Sequence, residues 1–161
     1  MHVPGSATST LAERAEAFKW WWGFWGHRDT FEGTMKTQGE IEAAICEGVR
    51  HFEQDYMGRG PKDIQTYLIG DLLVVRLKSV LTAAEQQLVG SLPAEKGRGL
   101  LKQVRTQLIE TARPVLEAMV LDVTGVKVLS LHHDISTESG EEVVLFTLAA
   151  SPSFRKNKNV K

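Results

Sequence analysis

Two short apolar runs separated by two residues constrain this chain most. Residues 64–69 (Ile-Gln-Thr-Tyr-Leu-Ile) and 72–78 (Leu-Leu-Val-Val-Arg-Leu-Lys) flank Gly70-Asp71. Runs this rich in β-branched and aliphatic residues read as strands, and a glycine-led pair between them reads as a tight turn, because glycine supplies the positive φ such turns require. A link this short closes only an antiparallel hairpin; a parallel crossover needs a dozen residues or more. Within the second run Leu73, Val75 and Leu77 share one face, and Leu72, Val74 and Arg76 share the other. Residues 126–135 and 142–148, joined through 136–140, repeat the arrangement.

An isolated hairpin is marginal in water, so the remaining sequence must cover one face of these strands. From Gly39 to Tyr56 the apolar residues Ile41, Ile45, Val49, Phe52 and Tyr56 fall on one helical stripe, with Glu42, Glu47, Arg50 and Glu53 opposite. Gly58-Arg59-Gly60-Pro61 ends that helix. Thr82-Ala83-Ala84-Glu85 is a capping box that starts a short helix running to about Gly90. After Pro93 a longer helix is expected over about 94–120, with Leu101, Val104, Leu108, Val115 and Met119 facing the core and a kink at Pro114. The expected fold class is α+β: a four-stranded antiparallel sheet built from two hairpins, with helices packed on one face, in the order helix-hairpin-helix-helix-hairpin.

Three regions are expected. Residues 1–34 form a Trp-rich N-terminal extension, 35–150 the α+β domain, and 151–161 a basic, disordered tail. The chain has 161 residues, which suits one such domain, and a single cysteine, which excludes an internal disulfide. A formal net charge of -1 argues against a general nucleic-acid binder. No apolar run approaches the roughly 20 residues of a membrane-spanning helix. A soluble cytoplasmic protein is the expectation.

Candidate chemistry is sparse. Gly58-Arg59-Gly60-Pro61-Lys62 offers glycine-flanked cations that suit an anion, but it lacks the Gly-Lys-Ser/Thr end of a phosphate-binding loop. Its plain alternative is a helix stop. Lys96-Gly97-Arg98-Gly99 lies near a helix start, where free amides favour anions. With Lys102 and Arg105 it also reads as a solvated basic helix face. Arg76 sits in an apolar strand, either as an edge charge that discourages aggregation or as an arginine presented to an anion or a partner. Arg59, Lys62, Arg76 and Arg98 are therefore the candidate anion-binding residues.

In His132-His133-Asp134, strand alternation sends the two histidines to opposite faces, so they do not share a metal ion. They read as a polar strand end, with proton sensing left open. Cys46 reads as a small buried residue. No nucleophile elbow and no carboxylate pair of catalytic spacing is present, so neither a catalytic residue, a metal nor a cofactor is assigned. The extension is the most unusual stretch. Leu11, Ala15, Phe18, Trp22 and Trp25 form one helical stripe, and Phe18, Trp21, Trp22 and Trp25 are the candidate interface residues. Such a stripe serves a membrane interface, a partner groove, a second copy of the chain or its own domain.

From Met35 onward an ordered set of motifs stands out: Gly-Glu-Ile-Glu-Ala-Ala-Ile (39–45), Gly-Arg-Gly-Pro (58–61), Val-Leu-Thr-Ala-Ala-Glu (80–85), Gly-Arg (97–98), His-His-Asp-Ile (132–135) and Gly-Glu-Glu-Val-Val-Leu-Phe-Thr-Leu (140–148). As a set, over residues 35–149, it resembles a bacterial family named after MpsC, a component of a Na+-translocating, membrane-potential-generating system. The first 34 residues match nothing in that family, which suggests an appended targeting or docking element. The resemblance implies a small domain linked to a membrane system for cations or bicarbonate, and it brings no catalytic residue. Without a spanning helix such a chain cannot conduct ions alone. The leading expectation is a non-enzymatic accessory or regulatory domain beside a membrane transporter subunit, self-associating as a homo-oligomer and sensing a small anion. It would sit in the cytoplasm, with peripheral membrane contact through the Trp segment. An enzyme acting on a small phosphorylated or carboxylated metabolite, and an assembly module docking through the Trp-rich helix, are the alternatives.

Overall fold

The computed structural model describes residues 35–91 and 93–156 and, upstream, Glu13, Glu16 and Trp20. In chain order the elements are α1 (Gln38–Met57), β1 (Asp63–Ile69), β2 (Leu72–Lys78), α2 (Ala83–Ser91), α3 (Ala94–Thr124), β3 (Val128–Ile135) and β4 (Glu142–Leu148). The α+β class and the antiparallel sheet agree with the sequence reading. β1 pairs β2 and β3 pairs β4 as hairpins, and β2 joins β4, giving the order β1-β2-β4-β3 with every pairing antiparallel.

Local chemistry sets the boundaries. Thr37 caps α1 with a reciprocal box: its hydroxyl accepts from the Glu40 amide, and the Glu40 carboxylate accepts from the Thr37 amide at 2.7 Å. Gly58 ends the helix at φ 76°, a left-handed conformation that costs a residue with a Cβ about 1–2 kcal/mol. The Thr82/Glu85 box expected at the start of α2 is present, the Thr82 amide donating to Glu85 at 2.7 Å. α3 continues through Pro114 to Thr124, four residues beyond the expected end at Val120, and is capped by Gly125. β3 begins at Val128, two residues later than expected.

One sheet face is the core. Ile64, Leu68, Leu73, Val75, Leu77, Val144, Phe146 and Leu148 pack against Ile45, Val49 and Phe52 of α1 and Ile109, Leu116 and Met119 of α3. Phe52 also stacks on Tyr56, ring centroids 4.8 Å apart. α1 lies along the β1 edge and supplies hydrogen bonds that an edge strand otherwise leaves to water or to another chain: Leu68 donates its amide to Glu42 at 2.9 Å, and its carbonyl accepts from Gln38 at 3.0 Å. Cys46 is half-buried, its Sγ 3.0 Å from the Thr66 hydroxyl. Just before α1 the Arg155 amide donates to the Lys36 carbonyl, and Phe154 packs on the core.

Three residues depart from the expected faces. Val104 is 46% exposed, whereas Arg105, expected on a solvated face, is fully buried. The core face of α3 runs through Leu101, Arg105, Ile109, Ala112, Leu116 and Met119. Glu53, expected opposite the apolar stripe of α1, is 1% exposed. Four residues on from Val49, it stands one turn along the same stripe.

Candidate functional site

The two buried charges among these, Arg105 and Glu53, belong to one site. α3 carries Arg105 into the space between α1, α2 and the sheet, where its guanidinium makes four hydrogen bonds. Two go to Glu85, from Nε to Oε1 at 2.9 Å and from Nη2 to Oε2 at 3.0 Å. One goes from Nη1 to Glu142 at 2.8 Å and one from Nη2 to the Val80 carbonyl at 3.0 Å. The planar fork of arginine suits such bidentate pairing. Glu142 is itself fully buried at the start of β4, and its second oxygen is hydrogen bonded to Nε2 of His133 on β3. Glu53 completes the cluster, its Oε2 3.7 Å from Arg105 Nη1.

The carboxylates behave differently because their surroundings differ. Burial, reinforced by the charge on Glu142, pushes the Glu53 carboxyl well above the usual range, and its attraction to Arg105 does not offset this. Burial also opposes ionisation of Glu85. There the Arg105 and Thr82 hydrogen bonds outweigh it, and the group titrates below the ordinary value. Glu53 thus favours its protonated form, and Glu85 its ionised form. Glu53 Oε2 and His133 Nδ1 are buried without hydrogen-bond partners in the described residues. Among those residues no group of three or more His, Cys, Asp or Glu can hold a metal ion; in this cluster the guanidinium occupies the centre that a cation would take. His133 is a buried member of the network and not a polar strand end, while His132 is exposed on the other sheet face.

The expected anion residues separate into two groups. Arg59 and Lys62 line one open groove of about 370 Å³ with Ser79, Gln86, Thr137, Ser139 and one carboxylate, Glu138. Arg59 Nη1 donates to the Leu81 carbonyl at 2.8 Å, and neither cation has a carboxylate within 4 Å among the described residues. Ser79 is held at φ 57°, a left-handed conformation rare outside glycine. Arg98 does not line the groove; it lies 3.5 Å from Glu138, which does. Arg76 is elsewhere, on the sheet face away from the helices, with Nε and Nη2 both on Glu141. Phe18, Trp21, Trp22 and Trp25 lie outside the described residues.

Comparison with known proteins places the chain. Residues 37–150 match the family described as Na+-translocating membrane potential-generating system (MpsC). The uncharacterized protein YbcI of Bacillus subtilis (strain 168) is 38% identical over 113 residues, covering 70% of this chain and 89% of that protein. The chain belongs to the MpsC family. No solved structure matches it significantly. Among the described residues no helix is long and apolar enough to cross a membrane.

Proposed function

We propose that this chain is a non-enzymatic accessory or regulatory subunit of a cation-linked membrane system, and that a small anion bound in the Arg59/Lys62 groove is the signal it reads. The family description supplies the setting. The observation that carries the anion reading is the convergence of Arg59 and Lys62 on one groove with three hydroxyl side chains, Ser79, Thr137 and Ser139, the groove's one carboxylate, Glu138, being paired with Arg98. Charge-assisted hydrogen bonds from such groups are strong anion ligands. Arg76 and Arg98 are already paired with Glu141 and Glu138, so their positive charge is largely engaged within the chain.

Thermal unfolding of the full chain, scanned against phosphate, bicarbonate, nucleotides and sodium, tests the reading. An anion at about 100 times its dissociation constant adds roughly 2.7 kcal/mol, a midpoint rise on the order of 10 °C for a domain of this size. Arg59→Ala combined with Lys62→Ala is expected to abolish that rise, and Arg76→Ala to leave it intact. Absence of a rise with every anion, or a rise that survives the double substitution, overturns the reading.

A further inference from the structure

The sheet face turned away from the helices is divided in two. Cross-strand register aligns Ile69, Leu72 and Thr147 in one row, and Tyr67, Val74 and Leu145 in the next. A third row holds Gln65, Arg76 and Val143, and a fourth pairs Asp63 with Lys78. Charge is concentrated at one end, in the Arg76–Glu141 and Lys78–Asp63 pairs. The end nearest the Gly70-Asp71 turn is aliphatic and aromatic on β1 and β2 and at Leu145, and is bordered by Thr147 and by Ser130 and His132 of β3. There Tyr67 is 46% and Ile69 64% exposed, while Leu72, Val74 and Leu145 are partly covered only. A sheet with one apolar half-face uncovered is a surface that water disfavours.

The chain carries a segment of matching chemistry, tethered at the right corner. The upstream sequence enters α1 at Gln38, whose side chain bonds the Leu68 carbonyl between Tyr67 and Ile69. The described domain therefore begins beside the apolar half and not the charged one. Glu13, Glu16 and Trp20 are helical and exposed, Trp20 at 80%. Positions 13, 16 and 20 fall within one arc at 100° per residue. The opposite arc of that helical pattern carries Leu11, Ala15, Phe18, Trp22 and Trp25. Ten residues, 26–35, connect the pattern to the domain and span at most about 33 Å, against about 15 Å for the width of four strands.

We propose that the Leu11–Trp25 segment docks in cis on the outer face of the sheet, over Tyr67, Ile69, Leu72, Val74 and Leu145, and converts the two-layer domain into a three-layer one. This inference stands apart from the anion groove, which lies at the other end of β2 next to Ser79. The sequence offers a clean reporter, since its 4 tryptophans all lie in residues 20–25. In the monomeric full chain their emission is expected to be blue-shifted from that of free tryptophan. Val74→Lys with Leu145→Lys is expected to move it to the red while far-UV circular dichroism keeps the signal of a folded domain. Solvent-like emission in the unmodified chain, or blue emission indifferent to the double substitution, overturns the proposal. So does a blue shift that appears only as concentration drives dimer formation, or only with phosphatidylglycerol vesicles; these outcomes assign the stripe to a second copy or to lipid. Should the double variant unfold, a photo-crosslinking benzoylphenylalanine at Tyr67 in a mixture of 14N- and 15N-labelled chains decides. Crosslinks to residues 11–25 of the same chain support cis docking; crosslinks between chains, or none to this segment, overturn it.

Discussion

Nη1 of Arg105 lies 3.7 Å from Oε2 of Glu53, within ion-pairing distance but without a hydrogen bond. The same nitrogen donates to Glu142 at 2.8 Å. One guanidinium therefore serves two carboxylates, Glu85 and Glu142, through close contacts and holds the third only at a distance. A buried charge is tolerated only when paired and hydrogen bonded, and Glu53 Oε2, paired at 3.7 Å, lacks the hydrogen bond.

Glu53 should accordingly make the domain acid-favouring. Its folded pKa is raised, so its contribution is fully present below the ordinary carboxylate range and is lost as pH rises through the folded value. Glu85 works in the opposite sense: its contribution is present above the ordinary range and is lost as pH falls through its lowered value. Glu53→Gln keeps the neutral shape and removes the titration. The stability of the Glu53→Gln variant relative to the unmodified chain, from urea midpoints across roughly pH 4–9, is expected to increase steadily with pH; a constant difference means Glu53 does not titrate in this range.

Arg105→Met removes the centre of the cluster. It leaves Glu85 without its bidentate partner and Glu142 with His133 alone. Breaking one side of a buried pair costs about 3–5 kcal/mol, and urea unfolding should read a loss of that size. Arg105→Lys should recover only part of it, because a lysine ammonium cannot reproduce the planar fork.

The face of α3 can be tested by two substitutions. Val104→Lys lies on the exposed side and is expected to change stability by less than about 0.5 kcal/mol. Ile109→Ala, on the 1%-exposed side, is expected to cost about 2–5 kcal/mol. The reverse order would restore the face on which Val104 and Leu108 look inward.

Thr82→Ala deletes a cap worth about 1 kcal/mol. Here it should cost more, because the lost hydroxyl accepts from the amide of Glu85, the residue whose carboxylate grips Arg105. A double-mutant cycle of Thr82→Ala with Arg105→Met is expected to show coupling above about 0.5 kcal/mol. Strict additivity would mean that cap and cluster act independently.

Much of the fold was legible because its signals are local. Alternation fixed β2 and β4 to the residue, Gly70 marked the turn, and Thr82 with Glu85 announced α2. The buried cluster was not legible, because each member by itself looks like a surface residue. Arg105 stands beside Val104, and a stripe of apolar side chains naturally takes the valine. The available signal was the four-residue step from Leu101 through position 105 to Ile109, and the parity that sets Glu142 on the face of Val144, Phe146 and Leu148. Either charge alone argues against burial. Only a fold that brings α1, α2, α3, β3 and β4 together lets them compensate one another. Of the four expected anion residues, Arg59 and Lys62 share a groove since both belong to the link from α1 to β1, whereas strand alternation turns Arg76 to the opposite side of the sheet.

The strand order has a kinetic consequence. Each hairpin closes over a few residues, but the seam between β2 and β4 joins positions far apart, as in the Arg76–Glu141 pair at a separation of 65. Loop-closure entropy must be met before such distant contacts reward it. The five members of the cluster come from both sides of that seam, so Arg105 cannot shed its water until the halves have met. Weakening the cluster should then speed the escape from the native state more than it slows entry into it. In a chevron plot Arg105→Met would raise the unfolding limb and leave the refolding limb nearly in place, making the arginine a latch that is fastened last and released first.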